Sequence, residues 1–126
     1  MNNKEKKILI IEDDKSLSKA ISDKLKRESF KVFTAFDGQE GLKVAMNQKP
    51  DLILLDIIMP IMDGLTALNR IREDEWGKNI PIIILTNLSA GEEVNEAMQK
   101  GVYDFLTKSN WKLSDVIELI KNKLKK

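Results

Sequence analysis

The sequence predicts an α/β chain in which five strand–helix units wind into one doubly wound parallel sheet, with helices on both faces. Two observations carry that prediction. Short apolar, β-branched runs alternate with longer segments of helical period, and five repeats of this pattern, (βα)₅, account for the whole chain. Three of the runs, at 8–11, 52–55 and 82–85, are continuously apolar, as expected of strands covered on both faces of a parallel sheet.

Each element has its own signal. Strands are predicted at 7–11, 31–35, 52–55, 82–85 and 103–107. The first helix is marked by Leu17, Ile21 and Leu25, the second by Leu42, Ala45 and Met46, and the third by Leu65, Leu68 and Ile71. The fourth rests on Val94, Ala97 and Met98. The fifth is the clearest, with Leu113, Val116, Ile117, Ile120 and Leu124 on one face. Breakers separate the segments: Asp37-Gly38, Pro50, Pro60, Gly77, Pro81 and Gly101. A single domain over 1–126 is expected, with 1–6 and 125–126 as frayed ends.

Composition removes several functions. The chain has no cysteine and no histidine. Disulfides, thiolate or imidazole zinc sites, and Ser-His-Asp triads are therefore excluded. Metal binding must use oxygen donors, which suit Mg²⁺, Ca²⁺ or Mn²⁺. A net charge of +1 gives no global case for nucleic-acid binding. The lysines near both ends, such as Lys121 and Lys123, read as solvated positions suited to a helix C-terminus. No apolar run reaches the ~20 residues of a membrane span, and residues 1–11 lack the pattern of a secretory leader. A cytoplasmic location, with no membrane and no direct nucleic-acid partner, is the expectation.

In open parallel sheets the ligand site lies beyond the carboxyl ends of the strands. Glu12, Asp13 and Asp14 follow the first strand, Asp56 ends the third, Thr86 ends the fourth and Lys108 follows the fifth. Taken singly, an Asp there is ordinarily a turn former or cap, Thr86 a cap, and Lys108 a solvated lysine. Together they place carboxylates, a hydroxyl and an ammonium on one rim. Crowded carboxylates call for a hard cation such as Mg²⁺. An Asp carboxylate can also serve as a nucleophile and become an aspartyl phosphate. Mg²⁺, Lys108 and the Thr86 hydroxyl would then face the phosphoryl oxygens. Asp14 is assigned to starting the first helix.

These residues resemble the receiver domains of two-component signalling. The resemblance spans the chain. It rests on Glu12-Asp13, on the run from Asp56 through Met59-Pro60 to Met62-Asp63-Gly64, on Thr86, and on Lys108. The resemblance implies a flavodoxin-like sheet of order 2-1-3-4-5, a doubly wound arrangement of which chemotaxis receivers are a known example. It implies that Asp56 accepts a phosphoryl group from a histidine kinase or histidine phosphotransfer protein. Asp13 would bind Mg²⁺ directly, Glu12 mainly through water, and the Ile58 backbone carbonyl would be a further ligand. Thr86 and Lys108 would contact the phosphoryl group, and Phe105 would be the aromatic that turns inward on phosphorylation. The face of the fourth helix, fifth strand and fifth helix would then meet an unknown output protein. A monomer or a phosphorylation-dependent dimer fits, and so does either a stand-alone receiver or part of a longer regulator.

Three positions depart from the family pattern. Ser109 follows Lys108 where Pro is usual, Phe105 stands where Tyr is common, and Asn87 follows Thr86 where a smaller residue is usual. Ile58 and Leu88, each two residues past a site residue, are apolar where polar side chains can place a hydrolytic water. Slow autodephosphorylation is expected, with simple packing of the two side chains as the alternative reading. The domain is expected to catalyse only its own phosphorylation and dephosphorylation, and not to turn over substrate. The alternative is a phosphorylation-independent interaction module of the same fold. A flavin or nucleotide binder is disfavoured, because the acidic first loop repels phosphate and no glycine-rich phosphate loop is present. Trp111 is read as packing beneath the last helix, with an interface aromatic near the switching face as the alternative.

Overall fold

The computed structural model of the chain describes residues 6–56, 64–86, 95, 98–99, 101, 104–107 and 112–124. Five strands are found: β1 (Lys7–Ile11), β2 (Lys31–Ala35), β3 (Leu52–Asp56), β4 (Ile82–Thr86) and β5 (Asp104–Thr107). They form one parallel sheet of order β2-β1-β3-β4-β5. The helices are α1 (Lys15–Arg27), α2 (Gly38–Gln48), α3 (Gly64–Glu73) and a C-terminal helix (Leu113–Leu124). Of the expected fourth helix, Asn95, Met98 and Gln99 are helical, while Val94 and Ala97 lie outside the described residues.

The period-2 pleat divides the apolar runs between two cores. Leu9, Ile11, Ile53, Leu55 and Ile84 face α2 and α3, where they meet Ala45, Leu68 and Ile71. Ile8, Ile10, Leu52, Leu54, Ile83 and Leu85 face the other side, against Ile21 and Leu25 of α1 and Val116, Ile117 and Ile120 of the C-terminal helix. Every residue of β3 is buried, which makes it the central strand in packing as well as in order.

The buried faces of the helices are shifted from the expected ones: α1 buries Ser18 and Ser22 beside Ile21 and Leu25 with Leu17 half-buried, and α3 buries Gly64 and Ala67 beside Leu68 and Ile71 with Leu65 half-buried. In α2 the buried line is Gly38, Gly41 and Ala45, with Leu42 and Met46 only half-buried. The reason is close approach: a Cβ on Gly41 would sit 2.5 Å from Ile11 Cδ1. Glycine lets α2 lie against β1, and its larger residues pack to the sides.

The starts of the strands are stitched as well. The Lys7 N–H donates to Asp51 Oδ2 at 2.7 Å, and the Asp51 N–H donates to the Lys7 carbonyl at 2.8 Å. The Lys31 N–H donates to the Lys6 carbonyl at 2.9 Å. Arg72, near the end of α3, donates from one guanidinium nitrogen to the Gly77 carbonyl (2.7 Å) and the Ile80 carbonyl (3.0 Å), which fixes the turn into β4.

Candidate functional site

Parallel register decides which residues meet at the carboxyl rim. Ile11 pairs with Leu55, so Glu12 emerges level with Asp56. Asp56 pairs with Leu85, so the next residue, Thr86, follows on the same rim. Thr86 pairs with Thr107, whose successor is Lys108.

The result is a compact acidic cluster. Carboxylate oxygens of Glu12, Asp13 and Asp56 all lie within 4.8 Å of one another. Glu12 is fully buried and Asp56 is 3% exposed, whereas Asp13 is exposed. Two buried carboxylates at the end of an otherwise apolar core are costly unless opposite charge or hydrogen bonding compensates them.

Local chemistry holds the loop that carries two of them. The Glu12 N–H donates to the Ala35 carbonyl at 3.0 Å, which extends the β1–β2 pairing by one residue. Glu12 Oε2 accepts from the Asp14 N–H at 2.9 Å, drawing the loop back over the cluster. Asp14 caps α1 through its Oδ1, which accepts from the Leu17 N–H at 3.1 Å, as its place in the sequence suggested. Asp13 is left between these two anchors, facing solvent.

The donor set fits a hard divalent cation. Among the described residues it offers three carboxylates, at a spacing one small ion can bridge, in a chain with no histidine or cysteine.

The predicted site residues thus divide into groups. Glu12, Asp13 and Asp56 are brought together. Thr86 lies at the end of β4 beside them by register. Phe105, on β5, is half-buried and packs against the core shared with α2 and α3. Lys108 and Ile58 lie outside the described residues, as do Asn87, Leu88, Ser109 and Trp111.

Sequence reasoning missed the partners of the terminal lysines. Lys121 pairs with Glu28 at 3.0 Å, joining the C-terminal helix to the end of α1, and Lys123 pairs with Asp104 at the start of β5. It also missed the contact of the Lys15 ammonium with the Phe36 ring, 5.0 Å from its centroid. Helical period gives no signal for such cross-element pairs.

Comparison with known proteins agrees with this geometry. The family model described as the response regulator receiver domain matches residues 8–121. The DNA-binding dual master transcriptional regulator RpaA of Synechocystis is 38% identical over 102 residues, covering 81% of this chain and 42% of RpaA. The chain therefore spans less than half the length of that relative. Among solved structures, the chemotaxis response regulator CheY4 of Vibrio cholerae aligns with a TM-score of 0.87 at 27% identity, over 96% of this chain and all of that one. The receiver domain of the sensor histidine kinase PA1611 of Pseudomonas aeruginosa aligns with a TM-score of 0.83 at 28% identity, over 94% and 97% of the two chains. That structure has a magnesium ion coordinated in its active-site cleft. Among the described residues, no helix of this chain is long and apolar enough to cross a membrane.

Proposed function

This chain belongs to the family of response regulator receiver domains, and on that footing we propose that it is a signalling switch that accepts a phosphoryl group on Asp56. The observation that carries the proposal is the position of Asp56. It is a buried carboxylate at the end of the central strand, with Glu12 and Asp13 oxygens within 4.8 Å. A structural capping Asp has no need of two further carboxylates at that distance.

Mg²⁺ held by Glu12, Asp13 and Asp56 would supply positive charge against the oxygens of the incoming phosphoryl group. The remaining work falls to the chain itself. An Asp56 carboxylate oxygen attacks phosphorus, the donor's phosphorus–nitrogen bond breaks, and the donor histidine leaves with the electron pair and takes a proton from solvent. The Thr86 hydroxyl and the Lys108 ammonium would face the transferring oxygens, as the family motif implies. The apolar wall below Asp56, from Leu52 to Leu55, keeps water from that side of the carboxylate.

In this reading the protein is a switch and not a turnover enzyme. Its phosphoryl donor is a histidine kinase or a histidine phosphotransfer protein. Phosphorylation shifts the population of Phe105 orientations, and β5 with the helices beside it presents the changed surface to an output partner. Ile58 and Leu88 bring no polar group to a hydrolytic water, so the aspartyl phosphate is long-lived. A phosphoryl half-life as short as that of fast chemotaxis receivers would refute that part of the reading.

The test is intact-mass spectrometry after incubation with a small phosphodonor and Mg²⁺. The expected result is the gain of one phosphoryl group, lost with a chelator and lost in Asp56→Asn. Uptake that persists in Asp56→Asn, or no uptake by folded wild-type protein, would overturn the proposal.

A further inference from the structure

At the amino ends of β4 and β5, opposite the carboxyl rim, the surface folds into a cavity of about 410 Å³. That volume lies within the ~300–1,000 Å³ of small-molecule sites. Arg72 enters it from α3, Lys78 and Asn79 from the turn before β4, Asp104 from the start of β5, and Lys123 from the C-terminal helix. Ile80, Pro81 and Ile82 supply its apolar side. β4 runs the length of the sheet from Ile82 at this cavity to Thr86 at the other rim, so the cavity is separate from the acidic cluster.

The charge of the lining is one-sided. Among the described residues it holds three cations against one carboxylate, Asp104, and Asp104 is paired with Lys123. Cations in the last turn of a helix ordinarily answer the helix dipole, and Arg72 and Lys123 occupy such places. Lys78 has no such reason, because it lies in the turn beyond α3. Its described ion pair, with Glu75, is a 3.4 Å contact between side chains that are both more than half exposed. Such a pair is worth little, so Lys78 keeps most of its charge for another partner.

Arg72 is held where Lys78 is not. One guanidinium nitrogen donates to the Gly77 and Ile80 carbonyls, which fixes the planar group in the cavity wall. Burial pushes this guanidinium below its ordinary pKa, the mark of a desolvated cation that a nearby anion would stabilise. A guanidinium fork matches phosphate oxygens and an ammonium adds a point charge. At Gly101, which also lines the cavity, a Cβ would meet nothing within 4 Å, so that side is open.

We propose that this cavity binds a small organic phosphate, with Arg72 and Lys78 facing the phosphate and Ile80, Pro81 and Ile82 facing the carbon part of the ligand. Asp104 is the opposing group, since it holds Lys123 and repels an anion. The site needs no metal and is independent of the reading of Asp56.

The experiment titrates ADP, and separately inorganic pyrophosphate, into ¹⁵N-labelled protein in metal-free buffer, where the acidic cluster cannot take up phosphate through a cation. Amide shifts are expected at Lys78, Asn79, Ile82, Gly101 and Asp104 and not at Glu12 or Asp13. Lys78→Gln should weaken binding roughly threefold, and Asp104→Asn should strengthen it by a similar factor. A merely structural role for Asp104 would not give tighter binding on its removal. Arg72 is left unchanged because it fixes the turn into β4. ADP should bind more tightly than pyrophosphate; equal affinity would overturn the role of the apolar side. Shifts scattered over the surface lysines, affinities unmoved in both variants, or no shift with either compound at millimolar concentration would overturn the site.

Discussion

Asp56 is costly to the fold that carries it. It lies 3% exposed with two other carboxylates within 4.8 Å, and mutual repulsion disfavours the charged cluster. Asp56→Asn keeps the shape and removes one charge. In metal-free buffer the variant is expected to be more stable than wild type by about 1 kcal/mol, with the gain shrinking as Mg²⁺ is added. Urea unfolding with and without Mg²⁺ measures this, and a variant less stable than wild type without metal would show that the cluster is not under repulsion. Gly41 is the opposite case, a residue whose role is purely spatial. Its Cβ position lies 2.5 Å from Ile11 Cδ1 and 2.9 Å from Ile11 Cγ2. Gly41→Ala is expected to lose about 1 kcal/mol or more, because crowding in the core outweighs the better helix propensity of alanine. Thermal unfolding checks it, and an unchanged Tm would mean that Ile11 can turn aside at little cost. At this scale the sequence was unevenly legible. Glu12, Asp13 and Asp56 were readable because strand ends and motif spacing locate them. Gly41 was not, because its reason lies in a residue about thirty positions earlier on another element.

The helices start where their caps dictate. Asp14 caps α1, and Asp37 caps α2 through an Oδ1 that accepts from the Glu40 N–H at 2.8 Å. Glu40 in turn accepts from the Phe36 N–H at 3.0 Å, a close relative of the capping box. Asp37→Ala is expected to cost about 1 kcal/mol in urea unfolding, and a loss of only a few tenths would mean that solvent replaces the cap. The C-terminal helix is held differently, by apolar packing and by the ion pairs of Lys121 and Lys123. Lys121 holds the Glu28 carboxyl below its ordinary value of 4.5, and Glu28 raises the Lys121 ammonium above 10.5. A lowered carboxyl pKa gives stability that is present above 4.5 and lost as pH falls through the lower folded value. A raised ammonium pKa gives stability that is present below 10.5 and lost as pH rises through the higher folded value. The pair therefore acts across the whole neutral range and fades at both extremes. Lys121→Gln should lower Tm slightly at about pH 7 and leave it close to wild type under strong acid. Because both side chains are partly exposed, added salt should also narrow the difference. A Tm gap that is the same at neutral and strongly acid pH would assign the effect to packing instead. Helical period marked the inward faces of α1, α3 and the C-terminal helix. It could not show that the tails of α1 and the C-terminal helix are linked, since Glu28 and Lys121 are neighbours only after folding.

For the whole molecule, topology does the assembling. The order β2-β1-β3-β4-β5 puts β1 and β4 on either side of β3, so the residues leaving three different strands converge on Asp56. The alternation of apolar runs with helical segments was enough to read the sheet as parallel, and the family resemblance supplied its order. Strand ends came out within a residue, with β3 and β4 each extending one residue further, to Asp56 and Thr86. That extension matters, because it makes Asp56, the proposed phosphoacceptor, the last residue of a rigid strand instead of the first of a loop. What the sequence did not reveal was burial. Nothing in Glu12 or Asp56 as residue types says that both are almost sealed from water while Asp13 remains exposed. The most direct measurement is to phosphorylate the protein with Mg²⁺ and a small donor, reduce the acyl phosphate with borohydride, and map the modified peptide. The expected product carries the reduced side chain at Asp56 alone. Reduction at any other carboxylate, Asp13 above all, or no reducible acyl phosphate in the folded protein, would contradict the assignment of Asp56 as phosphoacceptor.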